Sequence, residues 1–204
     1  MRLLTSALVA ACLLSGPLVT AARAEIDAEQ VREGIDRGVE FLKSQQQGNG
    51  SWPEWIGQVG GVTALATLAL LNSGVEPEDE HVAKALEYLR QLKPEKTYVV
   101  SLQTMVFAEA TPDRDRLLIQ RNVDWLEKVQ IQNGTNKGAW SYPVGPGDNS
   151  NSQFALLALH EAERVGVKVS GRTWRLAKAY WEGCQNPDNS WGYRRDESGT
   201  GSMT

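Results

Sequence analysis

The chain has 204 residues, 41% hydrophobic and 23% charged, the make-up of one folded domain and not of a disordered segment. Lys and Arg number 21 against 25 Asp and Glu, a net charge of −4, which excludes a general nucleic-acid binder with its basic excess. Two cysteines exclude a disulfide framework and a four-cysteine zinc site. Seven tryptophans against three phenylalanines is the unusual count. An indole needs a large slot and, when buried, a partner for its N–H, so the positions of the seven carry information.

In chain order, residues 1–24 read as a secretory signal peptide. Met1-Arg2 is followed by an apolar run from Leu3 to Leu14, a break at Gly16-Pro17, and small residues at Ala22 and Ala24. The expected location is exported, periplasmic or extracellular. Removing the leader takes away Arg2, Arg23 and Cys12, leaving Cys184 as the one thiol of residues 25–204. No later apolar run is long enough for a membrane helix, so no integral membrane segment is expected after leader removal.

Helices account for the remainder. Asp27 with Gln30 fits a capping box, and Val31, Ile35, Val39 and Leu42 recur at helical spacing until Gly48-Asn49-Gly50. A second helix covers Val62 to Leu71, Ala/Leu-rich on all sides and expected to be buried all round. A third runs from about Asp79 to Leu92, and a fourth from about Tyr98 to Ala110. A fifth covers about Asp113 to Gln130, a sixth about Asn151 to Val165, and a seventh about Ser170 to Gln185. Asp113-Arg114-Asp115 and Glu78-Asp79-Glu80 read as acidic helix starts that favour the macrodipole. No segment alternates with period two, so no sheet is expected. Odd-numbered helices are amphipathic and charged, whereas even-numbered ones are dominated by small or apolar residues. Two concentric layers require that alternation. The fold class is therefore all-α, an α/α toroid of helical hairpins with inner and outer layers, over residues 25–204.

A repeat marks the hairpins. Phe41-Leu42, Gln46 and Gly50-Ser51-Trp52 form one copy; Trp125-Leu126, Gln130 and Gly138-Ala139-Trp140 a second; Tyr180-Trp181, Gln185 and Asn189-Ser190-Trp191 a third. Tyr88-Leu89 keeps only the helical half. An aromatic four or five residues before Gln puts both on one face at the end of an outer helix. The Gln amide can serve a helix terminus and the following turn. Gly or Asn suits a turn with positive φ, and the Trp folds back to staple the outer helix to the next inner one. Phe41, Gln46, Trp52, Trp125, Gln130, Trp140, Tyr180, Gln185 and Trp191 are thus packing residues.

The aromatic-aliphatic, Gln, Gly-x-Trp pattern resembles the Q-W repeat of squalene and oxidosqualene cyclases. More broadly it is similar to the toroid of terpenoid cyclases and protein prenyltransferase β subunits, and to prenyltransferase-like bacterial proteins of unassigned function. The resemblance spans roughly residues 27 to 204. It implies a toroid and an isoprenoid-related ligand, with a small molecule or a protein as partner. The Asp-x-Asp-Asp acid of class II cyclases is missing, and so is the Asp, Cys, His zinc set of prenyltransferases: no His follows Cys184. No cofactor or metal is expected, and His81 and His160 read as helix residues. Gly183-Cys184-Gln185-Asn186 also lacks the spacing of a thioester motif.

Parallel inner helices would bring their N-termini to one end of the barrel, placing Thr63, Gln103, Gln153 and Thr204 around a pocket mouth. Three pairs and one outer helix precede Thr204, so the ring is expected to be open, with the chain continuing beyond it. Catalytic residues are not assignable from this pattern. Three functions remain: a cyclase- or prenyltransferase-like enzyme, a non-catalytic toroid that binds a ligand or protein, and a carbohydrate-active α/α barrel such as a polysaccharide lyase. The last would use Trp for stacking and would need basic residues in the cleft, for which Arg194-Arg195 is the one hint.

Overall fold

The computed structural model describes residues 27–142 and 145–204. The leader, with Cys12, lies outside them. Seven helices follow one another: α1 (Ala28–Gln45), α2 (Gly61–Asn72), α3 (Glu80–Gln91), α4 (Thr97–Ala110), α5 (Arg116–Val129), α6 (Asn149–Arg164) and α7 (Gly171–Cys184). Among the described residues there is no strand, only an isolated bridge between Trp140 and Asp148. No helix among them is long and apolar enough to cross a membrane.

Local chemistry explains the helix limits. Asp27 and Gln30 close a capping box on α1. Asp79, Asp148 and Ser170 cap α3, α6 and α7 through their side chains. Helix α5 starts at Arg116, three residues later than the pattern places it. The Asp115 carboxylate does not cap it; Asp115 is gripped by Arg90 of α3 through Nε (2.8 Å) and Nη2 (2.9 Å). A bidentate guanidinium satisfies the carboxylate better than one backbone N–H would.

The layering follows from composition. Helices α2, α4 and α6 pack against one another, α4 in the middle, with α3 against α2, α5 against α4 and α6, and α7 against α6. Eleven of the fourteen residues of α4 are buried, because it meets protein on nearly every side. Ala64, Ala66, Ala108, Ala155, Ala158 and Ala162 keep the inner helices close, and outer helices contribute Leu86, Leu89, Ile119, Val123 and Leu126 to the same core. Two departures from the expected burial stand out. Leu65 of α2 is exposed, although its helix reads as buried all round. Helix α1 has no buried residue, and Val31, Ile35 and Phe41 of its apolar stripe face solvent.

Candidate functional site

The Trp corners build the end of the molecule where a site can form. Trp52 donates its indole N–H to the Leu42 carbonyl of α1 (2.8 Å) and its backbone N–H to Thr63 Oγ1 of α2 (3.1 Å). Trp140 repeats this with Leu126 of α5 (2.8 Å) and Ser152 Oγ of α6 (3.0 Å). Trp191 repeats it with Trp181 of α7 (3.2 Å) and Thr204 Oγ1 (3.0 Å). Each indole therefore bonds a carbonyl in the last turn of an outer helix, the Leu126 carbonyl also taking the Gln130 N–H (3.1 Å), and each following hydroxyl takes up the chain as it turns inward. The Gln residues tie neighbouring outer helices. Gln46 Nε2 donates to the Gly50 and His81 carbonyls (3.0 and 2.8 Å), and Gln130 Nε2 to those of Gly138 and Thr173 (both 3.1 Å). A Cβ at Gly50 or Gly138 would overlap the backbone of Lys84 or Leu176, and both glycines have positive φ.

The aromatic that opens each repeat is less uniform. Tyr180 is buried, Trp125 half-buried, and Phe41 is 61% exposed, so the first copy's aromatic has no slot to fill. Gln185 is exposed as well.

The residues expected at a pocket mouth are not brought together. Thr63 and Thr204 occupy equivalent corner positions as the hydroxyl partners of Trp52 and Trp191. Gln103 lies inside the protein. Its Nε2 donates to the Leu89 carbonyl (2.8 Å), and its Oε1 accepts from Arg121 and Asn122 (both 3.0 Å), joining α3 and α5 across α4. With no Trp ahead of α4 to set the register, counting placed Gln103 a turn too deep. Gln153 sits one residue past the position that matters. Ser152, not Gln153, meets Trp140, and one helical residue is a rotation of about 100°. Gln153 faces out onto the α6–α7 flank beside Leu156, His160, Trp174 and Trp181.

What does converge at the N-termini of α2, α4 and α6 is aromatic. A 360 Å3 cleft is lined by Trp55, Gln58 and Gly61 before and at the start of α2, Val62 and Leu65 on it, Tyr98, Val99 and Leu102 on α4, and Tyr142. Its size falls within the roughly 300–1,000 Å3 of small-molecule sites. Tyr98 is the hinge of this surface. Its ring packs on Phe154 (centroids 4.7 Å apart) and on Tyr142 (5.8 Å), and its hydroxyl bonds Ser150 of α6. Burial pushes the Tyr98 hydroxyl up to about 12, and burial likewise raises that of Tyr193. Both phenols are protonated at neutral pH.

Two carboxylates stand close by. Glu54 caps α2, accepting from the Val62 and Thr63 N–H groups (2.9 and 3.3 Å) and from the Thr63 hydroxyl (2.6 Å). Asp148 caps α6 and contributes to the upward shift of both tyrosines. Arg194 stacks over Tyr193 at 5.3 Å but is engaged by Glu197 at 3.4 Å, and Arg195 donates to the Thr135 carbonyl at 2.8 Å. Both arginines are thus engaged by neighbouring groups. Among the described residues no three His, Cys, Asp or Glu side chains group to hold a metal. Cys184 is a buried thiol whose pKa burial pushes up, which leaves it unreactive.

A two-layered helical protein with an aromatic cleft of small-molecule size at the mouth of its inner helices is the class that fold and site define. Residues 18–153, about two thirds of the chain, match the family model described as pectic acid lyase. The chain belongs to that family. No curated protein and no solved structure matches it.

The match overturns the terpenoid-cyclase and prenyltransferase reading, and with it the transferase and isoprenoid expectations. The reason is physical. The Gln and Trp of the repeat satisfy backbone groups at a helical corner, a need that every ring of helical hairpins shares. They report architecture and not chemistry. Sequence reading passed over Trp55, Tyr98, Tyr142 and Tyr193. The available signal was the second Trp in Trp52-Pro53-Glu54-Trp55, which stands outside the repeat and so was not needed for packing.

Proposed function

We propose that this protein acts on pectic polysaccharide outside the cytoplasm, residues 1–24 serving as its export leader and residues 25–204 as the working unit. The observation that carries this is the match to the pectic acid lyase family. The cleft supports it. Sugar rings have apolar C–H faces, and Trp55, Tyr98 and Tyr142 offer rings to stack on.

The chemistry of a uronate lyase is an elimination. A base takes the C5 proton, which the adjoining carboxyl group acidifies. The C4–O bond breaks, a C4=C5 double bond forms, and the departing glycosidic oxygen gains a proton. The cleft side chains supply recognition for such a substrate.

The test is incubation of the purified chain with polygalacturonate and with pectin. Growth of the ultraviolet absorbance of unsaturated uronates is the expected result. Absence of both cleavage and binding with either polymer would sink the reading. Signal-peptide cleavage is checked by N-terminal sequencing of the exported protein, where a start at Glu25 is expected.

A further inference from the structure

The three Trp corners share one backbone frame, and the second carries more chain than the frame needs. In the first copy the Gln47 N–H donates to the Ser51 carbonyl (2.8 Å) and the Gly50 N–H to that of Gln47 (2.9 Å). In the third, the Asn186 and Asn189 N–H groups make the same two bonds, to the Ser190 and Asn186 carbonyls (both 2.9 Å). In the second, the Ile131 N–H donates to Ala139 (2.9 Å) and the Gly138 N–H to Ile131 (2.8 Å), closing the same frame around a longer loop. Gln46 and Gln185 stand four residues before Gly50 and Asn189, whereas Gln130 stands eight before Gly138. Four residues are therefore extruded from the second corner. Arg195 and Lys137 hold the far limb of that loop through the Thr135 and Gly134 carbonyls, and Asn133-Gly134 lies at its exposed tip.

Asn-Gly occurs twice in the chain, at 49–50 and at 133–134. In this dipeptide the following backbone nitrogen can reach the side-chain amide carbon, because glycine has no Cβ to block the approach. The reaction needs an amide and a nitrogen that are not already held. At the first corner both are held. Asn49 Oδ1 accepts from the Ser51 N–H (3.1 Å) and hydroxyl (2.8 Å). The Gly50 N–H is spent on Gln47, and Gly50 itself is buried against the Lys84 backbone. At the second corner neither is held. Asn133 and Gly134 are exposed, and nothing lies within 4 Å of where a Cβ on Gly134 would stand. Among the described residues, neither the Asn133 side chain nor the Gly134 N–H has a hydrogen-bond partner.

We propose that Asn133 is a site of spontaneous covalent modification, and that the corner protects Asn49 from the same reaction. The Gly134 nitrogen attacks Asn133 Cγ. A bond from that nitrogen to Cγ forms, the bond from Cγ to the amide nitrogen breaks, and ammonia leaves with the proton that Gly134 gives up. Water then opens the resulting succinimide at either carbonyl, giving aspartate or isoaspartate at position 133. Water and the chain itself are the reactants, and the product adds one negative charge at the loop tip. The frame bonds lie at the base of the loop, so the ring of helices is untouched. This proposal is independent of the pectic reading.

Incubation of the intact chain at mildly alkaline pH, followed by peptide mapping with mass spectrometry, reads both sites in one sample. Conversion at position 133 is expected to run at least about tenfold faster than at 49, where the hydrogen bonds have to break first. In denaturant the two rates are expected to converge. Isoaspartate is expected beside aspartate at 133, since both come from the succinimide. Equal rates in the folded chain, or a ratio that persists in denaturant, would overturn the proposal. So would aspartate without isoaspartate, which would mean direct hydrolysis and not attack by Gly134. Asn133→Asp is expected to melt with the parent chain, and an early melt would overturn the account of this loop as extra chain.

Discussion

Trp140 and Trp55 are the same side chain put to opposite uses. Trp140 is fully buried, with both N–H groups paired, and lies where an outer helix, a turn and an inner helix meet. Trp55 stands in solvent at the mouth of the inner layer and pairs with nothing in the core. The difference follows from what each neighbourhood requires. A corner exposes carbonyls at a helix end, and an indole both fills the volume and finds a partner for its N–H among them. The loop before α2 has its backbone turns and its Glu54 cap already, so an indole there adds nothing to folding. An exposed aromatic with no structural use, beside a cleft, is where binding is to be sought.

Breaking the corner should produce the largest effect. Trp140→Ala removes a fully buried aromatic and is expected to cost about 3–5 kcal/mol in chemical denaturation. Trp191, partly exposed, should lose clearly less on the same substitution. An equal loss at both would show that burial is not what distinguishes the corners.

Much of the architecture was open to sequence reading because it is written in local chemistry. The capping box at Asp27 and Gln30, the glycine turns and the alternation of charged with apolar helices each act over a few residues, and the seven helices of the described residues lie close to where those signals put them, α5 starting three residues late. The site was harder, for two reasons. Counting from one helix to another fails by a residue or a turn, and either error points a side chain elsewhere, as with Gln153 and Gln103. The cleft itself joins Trp55, Tyr98 and Tyr142, which lie far apart in sequence and belong to no repeat. Repetition drew attention to the residues that build the ring, whereas the residues proposed to use it do not repeat.

The same division between buried and exposed applies to the ion pairs. Asp115 is almost wholly buried against Arg90, whose guanidinium it holds in the charged state. Asp115→Asn leaves that largely buried guanidinium with only the exposed Glu87 carboxylate (2.7 Å) as counter-charge, and is expected to destabilise by about 2–3 kcal/mol. Lys43 and Asp79 pair at 2.8 Å with about a quarter of each side chain in water. The hydrogen bond from Lys43 holds the Asp79 carboxyl below its ordinary range. A depressed folded-state pKa adds stability that is complete above the unfolded pKa and is lost as pH falls through the folded one. Solvent screening keeps this contribution to within about 1 kcal/mol. Thermal melts from neutral pH down through the carboxylate range should show it fading. Asp79→Asn should flatten that part of the profile, and an unchanged profile would remove Asp79 from the account.

The smallest change in stability carries the sharpest statement about function. Trp55→Ala should shift unfolding by no more than about 0.5 kcal/mol, the range of surface substitutions away from buried features. The same variant should lose most of the protein's hold on pectic oligosaccharide, because the ring that stacks on the sugar is gone while the fold is intact. Trp140→Ala gives the reverse pattern when read at a temperature where it remains folded, with weakened stability and a cleft whose own side chains are untouched. Paired in this way, the two variants separate packing from recognition. If Trp55→Ala melted early, the loop would belong to the core and the cleft would lose its claim to be a binding surface. If it melted normally and bound sugar as well as the parent protein, the aromatic mouth would be surface without use, and the search for a sugar site would move to the α6–α7 flank between Trp174 and Trp181.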